Sequence, residues 1–143
     1  MSESLYQQSV KDLAAAESRR LVAPDVSVKL DNPLCGDAVT VELAFEGERI
    51  TGFGHTAKGC LLCKAASTVA AAHVVGLGHA EAAALADQVA AMLKADAPPV
   101  FPALEPFLAV RPHKSRHGCV LLPFRAIAAA INKTPAGVSH GGR

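Results

Sequence analysis

Residues 38–56 read AVTVELAFEGERITGFGHT, and this stretch decides the fold. Over 38–45 every second residue is apolar, and the alternation predicts a half-buried β-strand. Glu46-Gly47-Glu48 predicts a tight turn, and 49–56 predicts a returning strand that Gly52 and Gly54 weaken. The stretch therefore predicts an antiparallel hairpin. The apolar residues that alternate along its first strand are Val39, Val41, Leu43 and Phe45.

The segments on either side of this hairpin predict an α+β fold. Val26, Val28 and Leu30 alternate with polar residues, so a further strand is expected over 26–30 and the sheet becomes a three-stranded antiparallel meander. We expect a single domain over 1–132, in which the small sheet packs against helices, and a flexible tail over 133–143. Helices are predicted over 3–20, 60–75, 79–94 and 104–110, with a final helix from Leu122 or Pro123 to Asn132.

The composition excludes several classes of function. Half of the 143 residues are hydrophobic, which is enough for a packed core and excludes disorder of the whole chain. The net charge of +1, the 4% of aromatic residues and the absence of tryptophan argue against nucleic-acid binding. The uncharged stretch over 65–80 is too short and too polar to span a membrane. No secretory signal precedes the first helix, so we expect a cytoplasmic protein without a membrane partner.

Of the four cysteines, three lie with one carboxylate at junctions between predicted elements, where a rigid scaffold usually holds ligands. In a reducing compartment, cysteines indicate metal or thiol chemistry rather than disulfides, although inert buried thiols are an alternative. Cys35 and Asp37 flank Gly36 ahead of the second strand, and Cys60 opens a helix, where free N–H groups favour a thiolate. Cys119 is expected just before the final helix. Thiolates with one carboxylate suit zinc, whereas an iron–sulfur cluster held partly by a carboxylate would be bound but releasable.

These residues resemble the IscU/NifU N-terminal type of iron–sulfur cluster assembly scaffold. Residues 32–37 read Asn-Pro-Leu-Cys-Gly-Asp, 59–60 read Gly-Cys, 116–119 read Arg-His-Gly-Cys, and residues 5–8 near the start are similar as well. The resemblance covers about 4–132 and implies a SufE/NifU-like fold. It also implies a ligand set for zinc or for a [2Fe–2S] cluster. Those ligands are Cys35, Asp37, Cys60 and Cys119.

Within this family the sequence is most similar to the SufU branch. The spacing between Cys60 and Cys119 is longer than in the IscU branch, and Arg116 precedes the last cysteine as in SufU. Gly118 occupies the position where the IscU branch has histidine, and the chaperone-recognition motif Leu-Pro-Pro-Val-Lys is missing, which argues against an Hsp70-type partner.

The resemblance to SufU implies a zinc-dependent sulfur relay. The partner would be a SufS-like cysteine desulfurase, and the products would pass to recipient apo-proteins or other cluster assembly factors. The protein would then be a scaffold or carrier, and at most a sulfurtransferase. One cysteine would leave the metal and accept the persulfide sulfur, with Cys119 and Cys35 as the candidates.

Other readings of the same residues stay open. Cys60 and Cys63 form a Cys-x-x-Cys pair, which is compatible with a thiol–disulfide oxidoreductase, although such enzymes place the pair after a parallel strand. Cys63 is otherwise a small buried hydrophobe on the helix, or an exchangeable fifth ligand. His117 is an occasional ligand, a proton acceptor or an ordinary surface-loop residue, and Arg116 is either a partner of Asp37 or a solvated cation.

Overall fold

The computed structural model describes residues 8–16, 18–33 and 36–133. Its order of elements confirms a sheet enclosed by helices. Two 3₁₀ segments, Pro102–Val110 and Lys114–Arg116, precede the last helix. The helices and strands are α1 (Gln8–Ala15), β1 (Val26–Asn32), β2 (Asp37–Glu46), β3 (Arg49–Lys58), α2 (Leu61–His73), α3 (His79–Lys94) and α4 (His117–Lys133).

The three strands form the predicted antiparallel meander in the order β1-β2-β3. Val28 lies opposite Val41, and Val41 lies opposite His55. On β2 the alternation places Val39, Val41 and Leu43 in the core, as predicted. The pairing of β2 with β3 shifts between Ala44 and Phe45, which marks a β-bulge. All three strands are longer than expected, and β1 and β2 extend toward each other to Asn32 and Asp37.

The opposite face of β2 is covered by the segment between α1 and β1. Glu42 is buried on this face, where Arg20 donates to it at 2.6 Å and the Leu21 N–H at 2.8 Å. The hydrogen bond from Arg20 holds the pKa of Glu42 below its usual range. The His55 N–H donates to the carbonyl of Arg19, and a Cβ at Gly54 would lie 2.7 Å from the Leu21 nitrogen. These contacts end α1 at Ala15, so the prediction of a helix to residue 20 was wrong; its predicted start lies outside the described residues.

The helices pack on the other face of the sheet through many small side chains. Buried alanines lie on α2 and α4, and larger side chains such as Leu62, Phe107 and Phe124 complete the core. Small residues let helix backbones approach closely. The alanines on α2 and α4 that are fully buried are Ala65, Ala66, Ala70, Ala126 and Ala130.

Helix α4 begins at His117, about one and a half turns before the predicted start at Leu122 or Pro123. That prediction was wrong because it placed Pro123 in the first turn. A proline inside a helix costs about 3 kcal/mol. Val120, Leu121 and Phe124 are buried around it, and each buried side chain contributes roughly 1.5–3 kcal/mol, which offsets that cost.

The remaining helices agree more closely with the sequence. Helix α3 has the predicted bounds, and Glu81 accepts a hydrogen bond from the Gly78 N–H at its start. Cys60 caps α2 rather than forming its first turn, and the short helical piece expected over 104–110 is the longer 3₁₀ segment Pro102–Val110. Among the described residues, no helix has both the length and the apolar character needed to cross a bilayer. The tail after Lys133 lies outside the described residues.

Candidate metal centre

Asp37 is the first residue of β2 and lies opposite Asn32 at the closed end of the β1–β2 hairpin. The Gly36 N–H donates to the carbonyl of Asn32 at 2.8 Å, so the connection closes tightly, and Gly36 has a φ of +73° that favours glycine. The carboxyl group of Asp37 is 1% exposed and points toward the start of α2. The sequence Cys-Gly-Asp thus places an acidic group inside the protein at the edge of the sheet.

The start of α2, at Gly59 and Cys60, contacts the carboxylate of Asp37. The Cys60 N–H donates to Asp37 Oδ1 at 2.9 Å, and the Cys60 Sγ lies 3.8 Å from Asp37 Oδ2. Gly59 has a φ of +123°, and a Cβ there would overlap Asp37 Oδ1 and lie 2.8 Å from its Cα. Only glycine permits both this backbone conformation and this approach.

The thiol of Cys60 is half-buried and acidic. A hydrogen bond with Cys119 is the main cause that lowers its pKa to about 6, and the backbone N–H groups of Cys63 and Leu62 act in the same direction. Burial and the carboxylate of Asp37 oppose this shift. The backbone contribution is the effect expected for a thiolate at a helix N-terminus. At neutral pH, Cys60 is therefore a thiolate, which is the form that binds metal.

Cys119 lies in the first turn of α4, whereas the sequence placed it in a loop before the helix. Its side chain is fully buried, so the core fixes its position. A Cβ at the preceding Gly118 would lie 2.9 Å from the side-chain nitrogen of Asn32, which shows how closely α4 approaches the β1–β2 hairpin.

Asp37, Cys60 and Cys119 converge from three separate elements. One ligand atom from each lies within 4.8 Å of the others, although Cys60 and Cys119 are far apart in the chain. Zinc binds thiolates at about 2.3 Å and carboxylates at about 2.0–2.2 Å, so ligands of a tetrahedral ion lie roughly 3.5–4 Å apart. The donor types suit such an ion, and the 3.8 Å between Cys60 Sγ and Asp37 Oδ2 matches this spacing. Cys35 lies outside the described residues.

The other candidates are held elsewhere. Cys63 is fully buried on α2, and burial is the main cause that raises its pKa to about 12. This is the core environment expected for a buried hydrophobe, and Cys63 is not among the residues that converge.

His117 is buried, which excludes the alternative of an ordinary surface-loop residue. Its Nε2 lies 3.0 Å from the carbonyl oxygen of Arg111 and 3.2 Å from that of Val110, and it therefore donates to them. These bonds connect the first turn of α4 to the end of the 3₁₀ segment Pro102–Val110. Sequence reasoning missed this role because the partners are backbone carbonyls, which leave no signal in the sequence. The pairing of Arg116 with Asp37 stays a prediction.

Comparison with known proteins gives consistent results. The sequence model of the NifU-like N terminal domain matches residues 13–136. The iron–sulfur cluster assembly scaffold protein IscU of Streptococcus pyogenes is 29% identical over 111 residues, which cover 76% of this chain and 70% of that protein.

Two solved structures have the same fold. The N-terminal NifU-like protein of Brucella abortus superposes with a TM-score of 0.86 at 32% identity, covering 92% of this chain and 95% of that one. A protein from Fervidobacterium islandicum, described as a putative scaffold for the SUF system, superposes with a TM-score of 0.82 at 21% identity, covering 92% and 99% of the two chains. The second likeness shows the fold alone.

Proposed function

The chain belongs to the NifU-like N-terminal domain family, and from this premise we propose that its site holds one metal centre through Cys35, Asp37, Cys60 and Cys119. The observation that carries the proposal is the convergence of Asp37, Cys60 and Cys119 within 4.8 Å. Cys35 is two residues from Asp37 along the chain, so covalent geometry alone keeps their Cα atoms within about 7 Å. A fourth ligand from this cysteine would complete a tetrahedral set.

Membership of this family supports the predicted role in iron–sulfur cluster assembly. The chain is a member of the iron–sulfur cluster assembly scaffold family, whose scaffolds bind iron–sulfur clusters. The α+β fold is confirmed, and the thiol–disulfide oxidoreductase has no support. Assignment to the SufU branch is part of our proposal.

We propose zinc as the resident ion and the cluster, or its sulfur, as cargo. Three donor atoms this close together suit one ion, because the ligands of a two-iron cluster are divided between its irons. A zinc ion bound here would keep the cysteines deprotonated and shield them from oxidation until a partner arrives. The acidity of Cys60 in the protein itself prepares the site for this role.

The scaffold family receives sulfur from a cysteine desulfurase, and we propose a SufS-like donor for this chain. An acceptor thiolate would attack the outer sulfur of the desulfurase persulfide. A new S–S bond forms on the acceptor, the S–S bond of the desulfurase breaks, and the desulfurase cysteine leaves as a thiolate. Cys119 and Cys35 are the candidate acceptors. Because Cys119 is fully buried, attack by its sulfur requires the first turn of α4 to move, and we therefore place Cys35 first.

The cellular setting follows from the same chemistry. Thiols that must alternate between free, metal-bound and persulfide forms require a reducing compartment. We therefore propose that the protein works in the cytoplasm, with apo-proteins or other assembly factors as recipients.

Elemental analysis of protein purified without added metal tests the ligand set. We expect about one zinc per wild-type chain. Cys35→Ala and Cys119→Ala should each lose most of it, because three ligands bind zinc far more weakly than four. The matched control is Cys63→Ala, which removes a buried thiol from the same region and should keep its zinc. Equal metal content in Cys35→Ala and Cys63→Ala would overturn the ligand set.

A second measurement tests the sulfur relay. Wild-type protein should raise the turnover of a SufS-like desulfurase, and Cys35→Ala should not, whereas Cys63→Ala should behave as wild type. If Cys35→Ala still stimulates the desulfurase while Cys119→Ala does not, then the order of acceptors that we propose is wrong.

A further inference from the structure

A cavity of about 500 Å³ lies beside the candidate metal centre, between the end of α3, residues 111–114 and α4. Its apolar lining comes from Leu93 and Leu121, which are buried. His117 and Gly118 line it as well, and they immediately precede Cys119 in the chain. The cavity and the metal centre therefore share the first turn of α4.

The charged lining of this cavity is entirely basic. Lys94, Arg111, Lys114 and Arg125 line it, and no carboxylate does. Across the whole chain, 14 basic residues stand against 13 acidic ones, so four cations without an acid in one cavity are a local excess. Among the described residues, Lys94, Lys114 and Arg125 form no ion pair. In the part of the chain that the structure describes, the cavity thus carries three cations without a carboxylate partner, and only Arg111 pairs with an acidic group.

One of these cations is held in place by the fold. Arg111 donates to the carbonyl of Met92 at 2.8 Å and to that of Ala97 at 3.0 Å, and it pairs with the exposed Asp96 at 3.7 Å. These bonds fix the guanidinium against the end of α3. A cation that is already ordered loses less entropy when it binds an anion.

The exposure of the other three cations indicates the kind of ligand. Lys94, Lys114 and Arg125 are all exposed, and they come from three different elements. A small-molecule site normally encloses most of its ligand, whereas charged groups around an open, partly apolar depression are typical of a protein interface. Such charges steer an oppositely charged partner into place and raise its rate of association.

We infer that this basic cavity binds an acidic segment of the desulfurase that transfers sulfur to a cysteine of the metal centre. Carboxylate side chains of the segment contact Lys94, Lys114 and Arg125, and an apolar side chain between them packs on Leu93 and Leu121. The inference rests on the proposed function, because sulfur transfer requires the partner to reach the metal centre, which shares the first turn of α4 with the cavity. Binding in the cavity then orients the desulfurase for sulfur transfer.

Stimulation of a SufS-like desulfurase by increasing amounts of this protein tests the inference. The double variant Lys114→Glu/Arg125→Glu reverses two exposed charges of the cavity, and Lys11→Glu/Lys29→Glu reverses two exposed charges elsewhere as the matched control. We expect the cavity variant to need at least a tenfold higher concentration for half-maximal stimulation, with the same plateau and the same zinc content. The control should change this concentration less than twofold, and added salt should weaken wild type more than the cavity variant.

Three results would overturn the inference. An equal shift in the two double variants would show that only net charge matters. Saturable binding of inorganic pyrophosphate to wild type below millimolar concentration at 150 mM NaCl, lost in the cavity variant, would show a site for small anions instead. No stimulation by wild type would contradict the proposed function and this inference with it, whereas a normal plateau with an unchanged half-maximal concentration would contradict the inference alone.

Discussion

The N-cap and the first turn of α2 contain cysteines in opposite environments. Cys60 caps the helix, is half-buried and has its pKa lowered to about 6. Cys63, three residues later, is fully buried and has its pKa raised to about 12. At Cys60 hydrogen bonds to the sulfur outweigh the loss of solvation, whereas at Cys63 burial is the largest influence. The position within the helix, rather than the Cys-x-x-Cys spacing, therefore decides which thiol is able to bind metal.

Replacement of Cys60 and replacement of Cys63 should differ most in how much zinc then stabilises the protein. A ligand present at 1,000 times its Kd stabilises a protein by about 4 kcal/mol. Zinc added to metal-free wild type and to Cys63→Ala should raise the Tm by similar amounts, and zinc added to Cys60→Ala should leave the Tm nearly unchanged. Differential scanning calorimetry of the three proteins, with and without zinc, checks this. A full zinc effect in Cys60→Ala would show that Cys60 is not a ligand.

The rate of alkylation should differ almost as much. In metal-free protein at pH 8, Cys60 is mostly a thiolate, and only about one Cys63 in 10⁴ is ionised. The more acidic thiolate is a weaker nucleophile, but burial protects Cys63 further, so we expect iodoacetamide to modify Cys60 roughly a hundredfold faster.

The alkylation rate of Cys60 should fall as the pH falls. As the pH falls through about 6, Cys60 becomes protonated, and its alkylation rate should drop roughly tenfold between pH 8 and pH 5. Peptide mass spectrometry at timed intervals gives both rates. Equal labelling of Cys60 and Cys63 in the folded protein would contradict the difference in environment.

A substitution beside Cys60 should have the smallest of these effects. Gly59→Ala forces a side chain onto Asp37 at a φ of +123°, and strain of this kind costs roughly 1–3 kcal/mol. The control Gly47→Ala has a φ of +63° in open space, and it should cost about 1 kcal/mol. Chemical denaturation measures both costs. Only Gly59→Ala should also weaken zinc binding, and unchanged zinc affinity in this variant would show that the contact between Asp37 and Cys60 does not matter for the metal.

The sheet and α3 were predictable because local pattern and tertiary burial agree there. The alternation along β2 and the breakers around α3 identify both elements without knowledge of their neighbours. The start of α4 was not predictable by the same rules, since Pro123 is a local signal that the surrounding apolar contacts override. The end of α1 depends on hydrogen bonds between residues 19–21 and the sheet, which the sequence does not reveal.

The site was predictable in part. The helix N-terminus at Cys60 indicated an acidic thiol from local reasoning alone, and this is confirmed, although the hydrogen bond with Cys119 is the larger cause. Only the resemblance to a family could bring Cys119 to the same point, because no rule of periodicity relates residues so far apart. The basic cavity escaped notice for a similar reason. A balanced total charge conceals cations that three separate elements bring together.

The alanines of the core make the distance between the two sulfurs sensitive to distant substitutions. Ala65 and Ala70 on α2, and Ala126 and Ala130 on α4, are fully buried. Extra methylene groups in a filled core displace the backbone rather than finding free space. Replacing one of these alanines by valine would shift its helix, and Cys60 and Cys119 stand at the starts of α2 and α4. Two methyl groups added deep in the protein would thus change the gap that an ion has to bridge.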